Sequence, residues 1–293
     1  MRVQNKSLWI VLFLAPCVLL FGLIYLTPLT MIVYTSFMQW DGFSAMKWVG
    51  FANYKEIFFE DSTFHAALIN TVKWALLATF VHVPFGVMMA MILFKKPFGW
   101  KFVRAVSLVP NIISSAAMAI LYVFIFNPGI GLINKFVQWL GFKDFQVNWF
   151  FEPTTAFIAV SLTWVLFTGV IILITMAELS AIPPSIHDAA RIDGASELQI
   201  DLRINLPMIR GVIGVGVILA VTSSFKKFET IFLTTSGGPG DSTTNIAMMI
   251  YNQVVNSYRN GYANALGTIL LVLGIIVILV VNKAFKLDKK IGD

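Results

Sequence analysis

An all-α protein crossing a membrane on six helices is the fold class this sequence predicts, and three observations carry the prediction. Of 293 residues, 58% are hydrophobic and only 12% are charged; a soluble domain carries about 25% charged residues. The mean hydropathy of +0.80 points the same way. The apolar residues fall in six runs, at about 8–34, 66–94, 105–126, 154–177, 208–234 and 263–282. A helix needs about 20 residues to cross a hydrocarbon core about 30 Å thick. Backbone groups in lipid must pair internally, which leaves helices or a closed barrel. The alternating polar and apolar pattern of a membrane barrel is absent.

The first run follows the basic stretch "MRVQNK" and stays uncharged for 27 residues, from Leu8 to Tyr34. The apolar core of a signal peptide has only about 7–15 residues, so this run reads as a retained span. It holds Cys17, the single cysteine, which excludes a disulfide within the chain and reads as a small buried hydrophobe. Pro16, Pro28, Pro84 and Pro110 lie within or near spans and predict local kinks. His82, in the second run, reads as a packed neutral imidazole. His65, His82 and His187 are far apart, so no metal-ligand spacing is present. In the fifth run, Glu229 is the one acid of 15 inside a predicted span. A proton- or sodium-coupled carrier holds carboxylates in its pathway, so this scarcity points to an energy source outside the chain. The glycine-rich "SGGPGDSTT" (236–244) lacks the lysine of a phosphate loop and has no strand before it. It reads as a structured turn, and no ATPase is visible.

The net charge of +6 is spread in short clusters between the runs, not in one patch. That pattern speaks for membrane orientation and against nucleic acid. With both ends cytoplasmic, the inside segments hold 13 of the 21 Lys and Arg residues. Residues 178–207 then face the cytoplasm, and 35–65, 127–153 and 235–262 face outward. The whole chain, 1–293, reads as a single transmembrane domain.

The cytoplasmic connector "AIPPSIHDAARIDGASELQIDLRINLP" predicts two short amphipathic helices around a glycine. Pro183 and Pro184 suit a helix start, and Ser185 is placed to cap it with Asp188 three residues on. Ile186, Ala189 and Ala190 share a face. Gly194 permits a sharp turn. Ser196 and Gln199 form a capping-box pattern, and Ala195, Leu198 and Leu202 form the next apolar face. One reading is a helix lying at the headgroup boundary. The polar face, however, is mainly acidic (Asp188, Asp193, Glu197 and Asp201), which suits an anionic leaflet poorly. Docking into a protein groove with basic partners fits better.

The connector resembles the "EAA" loop of bacterial ABC importer permeases, whose pattern is E-A-A-x-x-D-G-A, a spacer, a hydrophobic residue and a terminal L-P. Ala189, Ala190, Asp193, Gly194, Ala195, Leu206 and Pro207 match in register. Asp188 replaces the usual Glu. Asp201 stands where an aromatic is usual, which marks it for an unusual contact, with Leu202 available as an apolar substitute. The stretches 48–71, 127–141 and 224–253 resemble corresponding loops of carbohydrate-type permeases, the last being similar to the first of two paired chains.

The resemblance implies the importer permease fold, with the connector as a coupling helix between spans four and five. It implies a bacterial cytoplasmic-membrane subunit that is not itself an enzyme and holds no metal or cofactor. A second permease chain completes the pathway. Two ATPase subunits carry ATP and Mg, and an extracytoplasmic solute-binding protein delivers a sugar or oligosaccharide. Related permeases carry polyols and glycerol phosphate. The ATPase-coupling residues it implies are Asp188, Ala189, Ala190, Asp193, Gly194, Ala195, Glu197, Asp201, Leu206 and Pro207, with Gly194 the hinge. Lys226, Lys227 and Glu229 are candidates for the solute pathway; Lys226 and Glu229, three apart, can instead pair on one helix face, and a lysine there can snorkel. Asn53, Tyr54, Gly237, Gly238 and Pro239 are candidates for binding-protein docking, or ordinary turn residues. A stand-alone carrier, a membrane enzyme and an exporter are the other readings. Sparse membrane acids oppose the first, the lack of a catalytic constellation the second, and the developed outer loops the third.

Overall fold

The computed structural model describes residues 6–287, with side chains from Trp9 onward. Arg2, Lys289 and Lys290, which entered the orientation count, lie outside the described residues, as does the side chain of Lys6. The chain clusters into two compact units, one of Met1–Asp61 with Met249–Leu271 and the other of Ser62–Met248 with Val272–Asp293.

In the smaller unit, the first span is a helix over Trp9–Thr35 with none of its apolar window buried. Cys17 is exposed with it, contrary to the expectation of a buried residue. An apolar helix bare on every side requires an apolar medium, either lipid or another chain. A small departure from the all-α prediction follows: Met38–Gln39 pairs antiparallel with Lys47–Trp48. Between these strands, the Asp41 carboxylate accepts the backbone N–H groups of Ser44 (2.7 Å) and Phe43 (2.9 Å) and the Ser44 hydroxyl (2.8 Å). Those donors hold its pKa down to about 2. Arg259 clamps Glu56 with two bonds of 2.8 and 2.6 Å, and the Tyr262 hydroxyl donates to Asp61 at 2.5 Å.

Two further helices are long and apolar enough to cross unbroken, Ser62–Phe94 and Asn260–Phe285. The third, fourth and fifth spans are broken. Residues 105–126 were expected as one helix; they form the end of Trp100–Ile112 and all of Ser115–Ile125, bent by 104°. The fourth span is Ala156–Leu162 and Gly169–Ala181 around an irregular stretch at 163–168. The fifth is Arg210–Phe225 and Glu229–Thr234.

Two of the four predicted proline kinks, at Pro28 and Pro84, have a specific form, which Pro207 shares. Gly22–Leu26, Ala78–His82 and Asp201–Asn205 are wide π-helical turns, and Pro28, Pro84 and Pro207 each stand two residues beyond one. A proline removes one helical hydrogen bond and pushes its ring against the carbonyl four residues back. The extra residue of a π turn lets that carbonyl tilt away without ending the helix. Pro110 has no such turn, and its helix stops at Ile112.

The larger unit packs on aromatic and small residues. Trp74 of the second span stacks on Phe157 of the fourth at 5.0 Å and donates its indole N–H to Ser161 at 2.9 Å. Gly169 lets the fourth span close on the third: an added Cβ would stand 2.3 Å from the Ser107 carbonyl oxygen. Small residues permit such approach inside membranes. Gly169→Ala is therefore expected to lower stability by about 1–3 kcal/mol, the usual cost of overpacking. Thermal unfolding in detergent measures it; an unchanged transition would remove Gly169 as a packing determinant.

Candidate functional site

The connector between the fourth and fifth spans leaves the membrane helices at two bends. Gly169–Ala181 turns by 73° into Pro184–Ile192, and Glu197–Met208 turns by 69° into Arg210–Phe225. The first connector helix starts at the two prolines, but Ser185 lies inside it and provides no side-chain cap. Its end follows from Gly194. At φ +80°, this residue lets Ala195 N–H reach the Ala190 carbonyl (2.9 Å) while Gly194 N–H reaches that of Arg191 (3.0 Å), pairing carbonyls a helix end leaves open. Ser196 and Gln199 then form the predicted capping box.

Most of this connector faces outward from the fold. Asp188, Ala189, Asp193, Gly194, Glu197, Leu206 and Pro207 are exposed, and Ala190 and Ala195 are half-exposed. Among its large apolar side chains, Ile192 is 86% exposed and Leu198 66%. Arg191 holds Glu197 at 3.0 Å and Asp188 at 3.5 Å, so part of the acidic face is paired within the chain.

Asp201 departs from expectation. It is only 9% exposed and turns inward to Lys95 Nζ at 2.5 Å. It also accepts from Asn205 Nδ2 at 2.9 Å, whose oxygen pairs with His187 Nε2 at 2.8 Å. A direct contact from Asp201 to a partner is therefore overturned. Its carboxylate ties both connector helices to the end of the second span.

A second site lies among the broken spans. A cavity of about 400 Å³ is walled by all three breaks, with Ile113 from the third span, Thr163, Trp164 and Phe167 from the fourth, and Lys227 from the fifth. Irregular backbone at membrane depth is tolerated where it lines such a cavity. Lys227 Nζ lies 4.6 Å from the Trp164 ring centroid, a cation–π contact. His82 is packed as expected, its Nδ1–H donating to the Val165 carbonyl at 2.9 Å. The predicted pairing of Lys226 with Glu229 does not occur. The helix is interrupted between Phe225 and Glu229, so three-residue spacing no longer means one face. Both residues line an adjoining recess with Lys227.

The family model described as "Binding-protein-dependent transport system inner membrane component" matches residues 82–287. The probable ABC transporter permease protein YurN of Bacillus subtilis is 31% identical over 292 residues, covering 98% of this chain and 99% of that one. The chain belongs to this family of inner membrane components. The multiple sugar-binding transport system permease protein MsmF of Streptococcus mutans is 31% identical over 293 residues, covering 99% and 98% of the two chains. A crystal structure of a bacterial alginate ABC transporter, in complex with an alginate pentasaccharide-bound periplasmic protein, contains a chain of the same fold. Its TM-score is 0.80 at 22% identity, over 97% of this chain and 96% of that one.

In this permease the loop residues divide into braces and surface. Asn53 is buried, and its amide donates to the carbonyls of Ser36 (2.8 Å) and Met38 (2.9 Å). That spends both hydrogens inside the fold and overturns a docking role for its side chain. Tyr54 is half-buried, with its hydroxyl 2.7 Å from Ser36 Oγ. Gly237 is buried, while Gly238 and Pro239 are half-exposed. Thr244 donates to the Gly237 carbonyl at 3.1 Å, Thr243 donates to that of Gly238 at 2.9 Å, and Asn70 donates to the Asp241 and Thr244 carbonyls. These bonds brace the turn, and Gly240 and Asp241 form its exposed tip.

Sequence reasoning missed Lys95, Asn205, His187 and Trp164. Lys95 registered only as a topology signal, because its partner lies 106 residues away. Trp164 sits in a run whose composition is that of any buried span.

Proposed function

We propose that this permease forms half of the translocation pathway of an ATP-driven, binding-protein-dependent importer of a sugar or oligosaccharide. The observation that carries the reading is the connector, an exposed two-helix surface continuous with two of the spans that wall the cavity. Ile192 and Leu198 protrude from it beside Asp188 and Asp193. Such a surface seats in a partner's groove by its apolar side chains and orients by charge. A displacement of the connector then reaches the cavity through helices, and two states of the partner bias two states of the bundle.

The partners in this reading are a second, different permease chain, two ATPase subunits that bind ATP and Mg, and an extracytoplasmic solute-binding protein. ATP hydrolysis belongs to the ATPases, and this chain needs no cofactor. The chain lies in the cytoplasmic membrane with both termini and the connector inside. Lys226, Lys227 and Glu229 belong to the solute pathway. Gly238, Pro239 and the half-buried Tyr54 belong to the docking side. The saccharide class is supported by relatives named for multiple sugars in Streptococcus mutans and for trehalose and maltose in Thermococcus litoralis.

The test is Asp193→Lys in the assembled transporter. Asp193 is exposed and makes no ion pair among the described residues, so the chain should insert and fold unchanged. The expected result is loss of the co-purifying ATPase, or loss of the hydrolysis stimulated by loaded binding protein. Full retention of both would sink the docking assignment.

A further inference from the structure

We propose that the cavity among the broken spans selects solutes that carry an oxyanion substituent, and that Lys227 is the residue that meets it. The inference rests on reading this cavity as part of the solute pathway.

The charge balance of the wall points that way. The lining includes Lys227 but no Asp or Glu. No carboxylate stands within 4.0 Å of Lys227 Nζ among the described residues; its one charge-compensating contact is the Trp164 ring. The adjoining recess adds Lys226 and Glu229, which cancel and leave the pair of spaces positive. An ammonium at membrane depth is costly and normally finds a partner. Here the break after Phe225 removes the helix that would otherwise fix its direction, and the side chain remains in the cavity. The chain supplies the cation, and the solute is the group positioned to balance it.

The remaining polar surface mixes donors and acceptors, with His82 and several hydroxyls in the lining, so the one formal charge, on Lys227, sets its preference. Trp164 is 8% exposed, and its indole N–H has no hydrogen-bond partner. A buried donor left open is rare, and an indole can only donate. That N–H is itself buried, so the group open to a solute is the Lys227 ammonium, which suits an acceptor-only group such as a carboxylate, sulfonate or phosphate. Ser115, Ser223, Thr230 and Asn111 line the same space and can pair with sugar hydroxyls. The volume of about 400 Å³ falls in the range of small-molecule sites, about 300–1,000 Å³. Together these groups describe a site for an acidic saccharide-sized solute.

The experiment uses the complete transporter in nanodiscs, with Ser223→Cys on this chain in a Cys17→Ser background. Modification of the new thiol by a charged reagent is followed while hexose probes are added: the neutral hexose and its 6-carboxylate, 6-sulfonate and 6-phosphate forms. At least one oxyanion form is expected to protect at concentrations tenfold or more below the neutral hexose. Lys227→Gln should erase that preference, and Lys227→Arg should keep it. The three acidic probes separate the possible substituents. Equal protection by neutral and acidic probes, or a preference that survives Lys227→Gln, overturns the charge assignment while leaving the pathway reading intact. No protection by any probe overturns the pathway reading, and the inference falls with it.

Discussion

Reversing the charge at Asp201 is expected to uncouple the transporter, and reversing Lys95 with it is expected to restore part of the coupling. The pair is 2.5 Å apart, with side-chain exposures of 41% for Lys95 and 12% for Asp201. An exposed pair contributes at most about 1 kcal/mol, while breaking a fully buried one costs about 3–5 kcal/mol. This half-buried pair falls between, at about 2 kcal/mol. The local penalty is larger than the pair alone, because Asp201 also accepts from Asn205, which in turn holds His187 on the first connector helix. Asp201→Lys places two cations at the junction and releases the second span from the connector. Solute-stimulated ATP hydrolysis and uptake should fall by about tenfold or more, which corresponds to about 1.4 kcal/mol of lost coupling. Basal hydrolysis by the attached ATPases should persist, because the exposed docking residues are untouched. Lys95→Asp alone should behave similarly. The double reversal should recover the part of the stimulated rate lost with the ion pair, though not the part carried by the Asn205 bond, and a merely destabilised bundle would show no such recovery. If the double variant is as impaired as the worse single variant, the ion pair is not the link.

This pair also marks where the sequence stops being informative. The six runs and the two connector helices were legible because each is a local pattern, set by hydropathy over about 20 residues or by caps a few residues apart. Gly194 and the Ser196–Gln199 box were legible for the same reason. The direction of Asp201 was not. Its position in the connector suggested an outward acid, and only the fold brings Lys95 within reach. Asn53 misled in a parallel way: loop asparagines commonly serve surfaces, yet this one closes two carbonyls beneath the loop.

The breaks in the third, fourth and fifth spans were illegible for another reason. Hydropathy records whether a residue tolerates lipid over a whole run, and the interrupted stretches around Ile113, Trp164 and Lys227 lie within runs that are apolar as a whole. What stabilises a break is a cavity on one side and packed helices on the other, which is a property of the assembled bundle. The pathway residues were therefore named from the few charges in the fifth run, and the indole that faces Lys227 was missed.

A graded series at Gly194 is expected to separate backbone strain from contact. The residue holds φ at +80°, and an added Cβ meets nothing within 4 Å. A side chain therefore loses no packing space, and any effect comes from the left-handed backbone. Asn tolerates that region, Ala is disfavoured by about 1–2 kcal/mol, and a β-branched residue is a stronger outlier still. Proline is forbidden: its ring fixes φ near −65°, and it removes the N–H that donates to the Arg191 carbonyl at 3.0 Å. Stimulated hydrolysis should fall in the order Gly, Asn, Ala, Val, Pro, with Gly194→Pro near the basal rate. Membrane insertion and thermal stability should change little, because the two connector helices are exposed and the spans retain their packing. The mechanism requires this dissociation. The turn sets the angle between the helix carrying Asp188, Ala189 and Ala190 and the helix anchored by Asp201, so strain there misaligns the docking face without loosening the bundle. A flat response across the series, or a loss of stability that parallels the loss of rate, would show that the turn is not what aligns the two helices.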